Sequence, residues 1–167
     1  MKKFIFIVDK LSLALGKITA FFVSAVCILI FMEIILRTFF NITLFITSEY
    51  AGYTMSIITF LGLAYTLYND GHIRVTILYE KFSEKKRIIC DCINYFIGFM
   101  LCIYIFRATG SLFYSSLVKQ TRSIQVFATY LAIPQFFLPL GVSVMMLQYM
   151  CKFIKSLDKY RRLEGEK

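Results

Sequence analysis

The only histidine of the chain, His72, lies in the short polar segment NDGHIRV between two long apolar runs. A histidine beside Asp70 and Arg74 could relay a proton or bind a metal ion. One imidazole does not complete the ligand shell of a metal centre, and the count excludes a haem held by two histidines. We therefore expect His72 to fix the end of a helix through hydrogen bonds.

Catalytic signatures are also missing from the sequence. It contains no G-x-S-x-G, no phosphate-binding glycine loop and no HExxH motif. The five cysteines form no CxxC pair, and Cys90 and Cys92 point in different directions on a helix. The sequence predicts neither an enzyme nor a cofactor or metal site in this chain.

Four charged residues, Glu33, Arg37, Glu49 and Arg107, lie in or beside apolar runs. Ionisable side chains are costly inside a bilayer unless they are paired, interfacial or functional. Glu33 precedes Arg37 by four residues, which is the favourable order for an ion pair on a helix. Counting along the helices places all four near one boundary. A clamp between helices, above all between Arg37 and Glu49, is preferred to a relay or substrate site.

The elements that carry these residues follow from composition. Of 167 residues, 59% are hydrophobic and 17% charged, with a mean hydropathy of +0.70. Such a chain is a membrane protein. Continuous apolar runs exclude a β-barrel and predict an all-α protein. We expect a single membrane domain over 1–167, with transmembrane helices at about 17–38, 48–69, 88–118 and 133–157.

Residues 3–16 are amphipathic. Lys3, Lys10 and Lys17 recur every seven residues opposite an apolar face. This segment either lies in the membrane interface, with lysines toward phospholipid head groups, or extends the first transmembrane helix. A cleaved signal peptide is not expected, because Asp9 and Lys10 interrupt the apolar stretch.

The net charge of +9 is unevenly distributed, which argues for membrane orientation rather than nucleic-acid binding. Basic residues concentrate at the N-terminus, in the middle loop and in the C-terminal tail. They are Lys2, Lys3, Lys10, Lys17, Arg74, Lys81, Lys85, Lys86, Arg87, Lys152, Lys155, Lys159, Arg161, Arg162 and Lys167. The other two loops hold only Arg37, Lys119 and Arg122. The positive-inside rule therefore predicts cytoplasmic termini and a cytoplasmic middle loop.

The helix predicted over 48–69 carries a stripe of small and polar residues. Its members are Glu49, Gly52, Ser56, Thr59, Gly62 and Thr66. Small residues at this spacing allow close approach of another helix in a membrane. The spacing leaves open whether that helix belongs to this chain or to a partner.

Four segments of the chain resemble the small membrane subunit of tripartite ATP-independent periplasmic (TRAP) transporters. They are EIILRTFFN, the SEY around Glu49, FLGLAYTLYNDGHIRV, and the AIP before the last helix. The G-H-I-x-V pattern, from Gly71 to Val75, is the most specific. The chain departs from the family at Ser48, where a second acid is common, and at Thr76, where aspartate is frequent.

The resemblance implies one subunit of a sodium-driven transporter in the bacterial inner membrane. Its partners would be a large membrane subunit, in a heterodimer, and a periplasmic substrate-binding protein. The large subunit would carry the substrate and sodium sites and move like an elevator, while this chain serves as scaffold. Family substrates are organic acids, such as C4-dicarboxylates, other carboxylates and sialic acids.

One alternative of a different class is a small four-helix exporter that works as a dimer, with Glu33 as its proton-coupled carboxylate. Such a carboxylate should lie near the middle of the membrane. Glu33 instead precedes Arg37 near the end of the first predicted span, which favours the scaffold.

Overall fold

The computed structural model describes residues 2–69, 83–125 and 127–165. These ranges form four helices, which we number α1, α2, α3 and α4. Their bounds are Lys2–Phe40, Phe45–Tyr68, Glu84–Val118 and Ala132–Gly165. The described ranges hold no β-strand beyond one isolated bridge, so the all-α prediction is confirmed. His72 and the rest of the GHIRV segment lie outside the described residues.

Three of these helices are long and apolar enough to cross a membrane, as judged over the described residues. They are α1, α3 and α4, over Lys3–Phe40, Glu84–Val118 and Ala132–Arg161. With 24 residues, α2 is long enough for a hydrocarbon core, since it spans about 36 Å at about 1.5 Å per residue. It carries one charged residue, Glu49, among several serines and threonines.

The amphipathic segment 3–16 continues into the first predicted span without a break, because Lys2–Phe40 is one helix. This helix ends where Asn41 takes a left-handed conformation with φ of 55°, which asparagine tolerates better than most residues. The N–H of Ile42 donates to the carbonyl of Leu36 at 3.2 Å. This bond satisfies one of the carbonyls that every helix end leaves open. A short connection then turns the chain into α2.

The central helix of the bundle is α4, which packs against α3, α2 and, less extensively, α1. One buried cluster joins α1, α2 and α4 through Leu15, Leu61 and Val144. The other joins α3 to α4 through Cys102 and Tyr149. Little direct packing joins α2 to α3 in the described residues.

Close contact between α4 and α2 requires a glycine. A Cβ at Gly141 would run into the carbonyl oxygen of Phe60, which is backbone and cannot rotate away. Pro139 lies two residues earlier inside α4. Because proline has no N–H, it removes one hydrogen bond of the helix there. The last helix, predicted over 133–157, begins at Ala132 and contains Pro139.

The connection between α3 and α4 is folded compactly. After α3, Gln120 takes the left-handed position with φ of 47°, and the N–H of Thr121 donates to the carbonyl of Ser116 at 3.1 Å. This is a Schellman cap with glutamine in the usual place of glycine. Ser123 and Thr129 then pair through a 2.9 Å backbone hydrogen bond.

The bundle has two ends, which we name by what they hold. The terminal end holds the starts of α1 and α3 and the last turns of α4. Salt bridges from Lys155 to Asp9 and from Lys159 to Glu84 join these segments. The hairpin end holds the α1–α2 and α3–α4 connections.

Candidate functional site

The small-residue stripe of α2 is left largely open by the chain's own helices. A Cβ at Gly52 would meet no atom within 4 Å, and Ser56, Thr59 and Thr66 are exposed. Gly62 lies against α1, since an added Cβ would be 3.6 Å from the Cγ2 of Thr19. We call the exposed positions Gly52, Ser56, Thr59 and Thr66 the α2 face. The core-forming side of α2 points the other way, through Ile57, Leu61 and Ala64.

The hydroxyl groups of the α2 face are already satisfied within the helix. Ser56 donates to the carbonyl of Gly52 at 3.2 Å, Thr59 to Met55 at 2.8 Å, and Thr66 to Gly62 at 3.0 Å. A hydroxyl bonded to the preceding turn leaves no unpaired donor. The α2 face therefore presents small side chains without unpaired donors, which suits contact with an apolar helix in lipid.

A groove of about 220 Å³ adjoins the α2 face near the hairpin end. Ser56 and Tyr53 from α2, Leu112 from α3, and Pro134 and Gln135 from α4 line it. The buried Oε1 of Gln135 has no hydrogen-bond partner among the described residues. The groove itself lies beside the face that the bundle leaves uncovered.

Glu49 is buried at the hairpin end, with 3% of its surface exposed. The hydroxyl of Tyr53 donates to its Oε1 at 2.9 Å. Ser123 and Thr129 from the α3–α4 connection lie beside the carboxylate. Within the described ranges, neither Glu49 Oε2 nor Thr129 Oγ1 has a hydrogen-bond partner. Glu49 therefore ties α2 to the connection and retains an open acceptor.

The four charges predicted to cluster are not brought together. Arg37 and Arg107 are exposed and Glu33 is half-buried, whereas Glu49 points into the bundle. Across the parts of the chain that the structure describes, no salt bridge joins any two of them. The Arg37–Glu49 clamp stays a prediction, and the described partner of Glu49 is Tyr53.

A polar network that the sequence analysis missed locks α1 to α4 near the terminal end. Gln148 of α4 is 1% exposed. Its Nε2 group donates to Ser12 Oγ at 2.8 Å, to Asp9 Oδ1 at 3.1 Å and to the carbonyl of Val8 at 3.3 Å. Lys155 then reaches the other oxygen of Asp9 at 3.3 Å. Two N–H bonds shared among three acceptors hold the two helices in one register.

A signal for this network was available in the sequence. Gln148 is an uncharged polar residue inside the apolar run of α4, and polar side chains in such runs carry structural or functional roles. A search restricted to charged residues passes over it.

The described residues contain no group of three or more histidine, cysteine, aspartate or glutamate side chains that could hold a metal ion. Much of the apolar surface is instead exposed, including Phe21, Phe31 and Leu101. Long apolar helices, whose backbone hydrogen bonds are made within each helix, and an apolar exterior define a multi-pass α-helical membrane protein.

The family model described as "Tripartite ATP-independent periplasmic transporters, DctQ component" matches residues 26–159. The chain belongs to this family, the small membrane subunits of TRAP transporters, which is a transporter family and not an enzyme family. The resemblance seen in the sequence is confirmed. No curated protein and no solved structure matches the chain.

The Gln148 network makes a testable prediction about stability. Gln148→Leu leaves buried acceptors on α1 unpaired, so it should lower the free energy of unfolding by about 1–3 kcal/mol. Ser12→Ala should lower the free energy of unfolding little further in the Gln148→Leu background, because both changes break the same contact. Unfolding in mixed detergent micelles, followed by circular dichroism, measures all four combinations.

Ser24→Ala is the matched control, since its hydroxyl bonds only to Ala20 of the same helix at 3.1 Å. Its effect should add to that of Gln148→Leu. Full additivity of Ser12→Ala with Gln148→Leu would contradict the proposed lock.

Proposed function

We propose that this chain is the scaffold subunit of a sodium-coupled TRAP transporter and forms a heterodimer with a large membrane subunit through the α2 face. The observation that carries the proposal is the open stripe of Gly52, Ser56, Thr59 and Thr66, whose hydroxyls are satisfied internally. A face of this kind lets a second helix approach closely without leaving a polar group unpaired in lipid.

The positions of the polar groups support separate roles for the two membrane subunits. In the described residues, buried Gln148 ties α4 to α1, and buried Glu49 lies against the α3–α4 connection. Transport sites in secondary transporters are commonly built where interrupted helices expose backbone groups near the membrane centre. The four described helices are each continuous. We therefore propose that the large subunit carries the substrate and sodium sites and performs the elevator motion.

The proposed substrate is an organic acid, either a C4-dicarboxylate, another carboxylate or a sialic acid, delivered by a periplasmic binding protein. This proposal rests on membership of the family. Nothing in the α2 face selects among these acids, which is consistent with a subunit that does not touch the substrate.

We further propose that α2 crosses the bacterial inner membrane with the other helices, so that the terminal end is cytoplasmic and the hairpin end periplasmic. The support is the concentration of lysine and arginine at the terminal end. In a cysteine-free background, Lys119→Cys should react with an impermeant thiol reagent added outside intact spheroplasts, and Lys85→Cys only after lysis. Labelling of Lys85→Cys in intact spheroplasts would overturn this orientation.

The proposed interface predicts which substitutions release the partner. Gly52→Leu and Ser56→Leu place bulk on the α2 face without touching this chain's own core. We expect each to reduce recovery of the large subunit, in a pull-down on the tagged small subunit, by about tenfold or more, because overpacking costs about 1–3 kcal/mol.

Ala108→Leu adds the same bulk at an exposed position of α3 and serves as the control. It should leave recovery of the large subunit unchanged. The melting temperature of the isolated small subunit should be unchanged in all three variants. Full recovery with both α2 variants would exclude the α2 face as the interface.

A further inference from the structure

A cleft of about 310 Å³ opens at the terminal end, between the end of α2, the start of α3 and the last turns of α4. Lys152, Lys155 and Lys159 line it from one side of α4, at spacings of four residues or fewer. Tyr68 of α2 and Tyr95 of α3 also line it. The cleft therefore combines three ammonium groups with two aromatic rings.

Two of the lysines are held in position by carboxylates and keep donors to spare. Lys155 Nζ lies 3.3 Å from Asp9 Oδ2, and Lys159 Nζ lies 3.4 Å from Glu84 Oε1. Their side chains are 50% and 61% exposed. An ammonium group has three N–H bonds, so one salt bridge leaves further donors for a ligand.

Three carboxylates near the cleft offset the formal charge of its three lysines, so the net positive charge comes from the flanking residues. Asp91 is part of the lining, besides the carboxylates of Asp9 and Glu84. The first turn of α3 adds Lys85, Lys86 and Arg87 directly after Glu84, so the surroundings of the cleft remain basic.

From this geometry we propose that the cleft binds the phosphate head group of an anionic membrane phospholipid. Basic pockets between transmembrane helices at their cytoplasmic ends suit such head groups, because lysines attract the phosphate while the lipid stays in its leaflet. Tyrosine rings favour the same boundary, where they contact the glycerol region. Inorganic phosphate offers the same charge but no apolar part for Tyr68 and Tyr95.

A lipid in this position would join α2 to α3. Little direct packing joins α2 to α3 among the described residues, and the cleft lies where both approach α4. A head group bound to α4 lysines, with its glycerol against Tyr68 and Tyr95, bridges the two helices.

Native mass spectrometry of the full chain tests the proposal with phosphatidylglycerol and phosphatidylcholine of identical acyl chains. Phosphatidylglycerol should bind about tenfold more tightly or better, since each lysine near a membrane surface contributes about 1 kcal/mol toward an anionic lipid. The triple variant Lys152→Gln, Lys155→Gln, Lys159→Gln should lose that preference. Equal affinity of the two lipids for the native chain would overturn the proposal.

Lys85→Gln with Lys86→Gln is the matched control, because these lysines lie at the same end but outside the lining. Because it removes only surrounding charge, it should weaken the preference less than the triple variant does, and loss of the preference in this control alone would place the site elsewhere. If circular dichroism shows the triple variant unfolded, the single variant Lys152→Gln should still weaken phosphatidylglycerol binding about fivefold. An unchanged affinity in this single variant would count against the cleft. Displacement of the lipid by millimolar inorganic phosphate would indicate a free-anion site and refute the lipid assignment.

Discussion

The contact of Gln148 with Ser12 and Asp9 is the interaction on which the arrangement of the bundle most depends. Apolar side chains give little preference for one helix neighbour over lipid, so the register between membrane helices rests on close packing and on hydrogen bonds. Gln148 supplies such bonds between α4 and the start of α1. The Gly141 contact brings α2 to the same central helix. With α1 and α2 held on α4, the α2 face is left pointing outward.

That outward face is the link between fold and function. A protein that acted alone in the membrane would be expected to cover a stripe of small residues with its own helices, whereas the described part of this chain leaves Gly52, Ser56, Thr59 and Thr66 exposed. Membership of the TRAP small-subunit family supports the proposal that a helix of the large subunit occupies this face. In that proposal the polar clusters at Gln148 and Glu49 keep the face rigid and do not bind a transported acid.

Features that depend on a single helix could be predicted from the sequence. Apolar runs located the helices, and spacing along 48–69 located the stripe, because both reflect the period of a single helix. What the sequence could not supply is the rotation of each helix against its neighbours. Arg37 and Glu49 have complementary charge and similar depth, yet Arg37 faces outward and Glu49 contacts Tyr53. Gln148 itself stands out in the sequence, but its partners could not be predicted for the same reason, since they lie 136 or more residues away.

This chain is proposed to support transport without carrying it out. The direct measurement is uptake of a radiolabelled organic acid into liposomes under an inward sodium gradient, with the binding protein outside. The small subunit, the large subunit and both together are reconstituted in parallel. The account predicts sodium-driven uptake with both subunits and none with this chain alone. Uptake by this chain alone, above that of empty liposomes, would contradict it and restore Glu33 as a transport carboxylate.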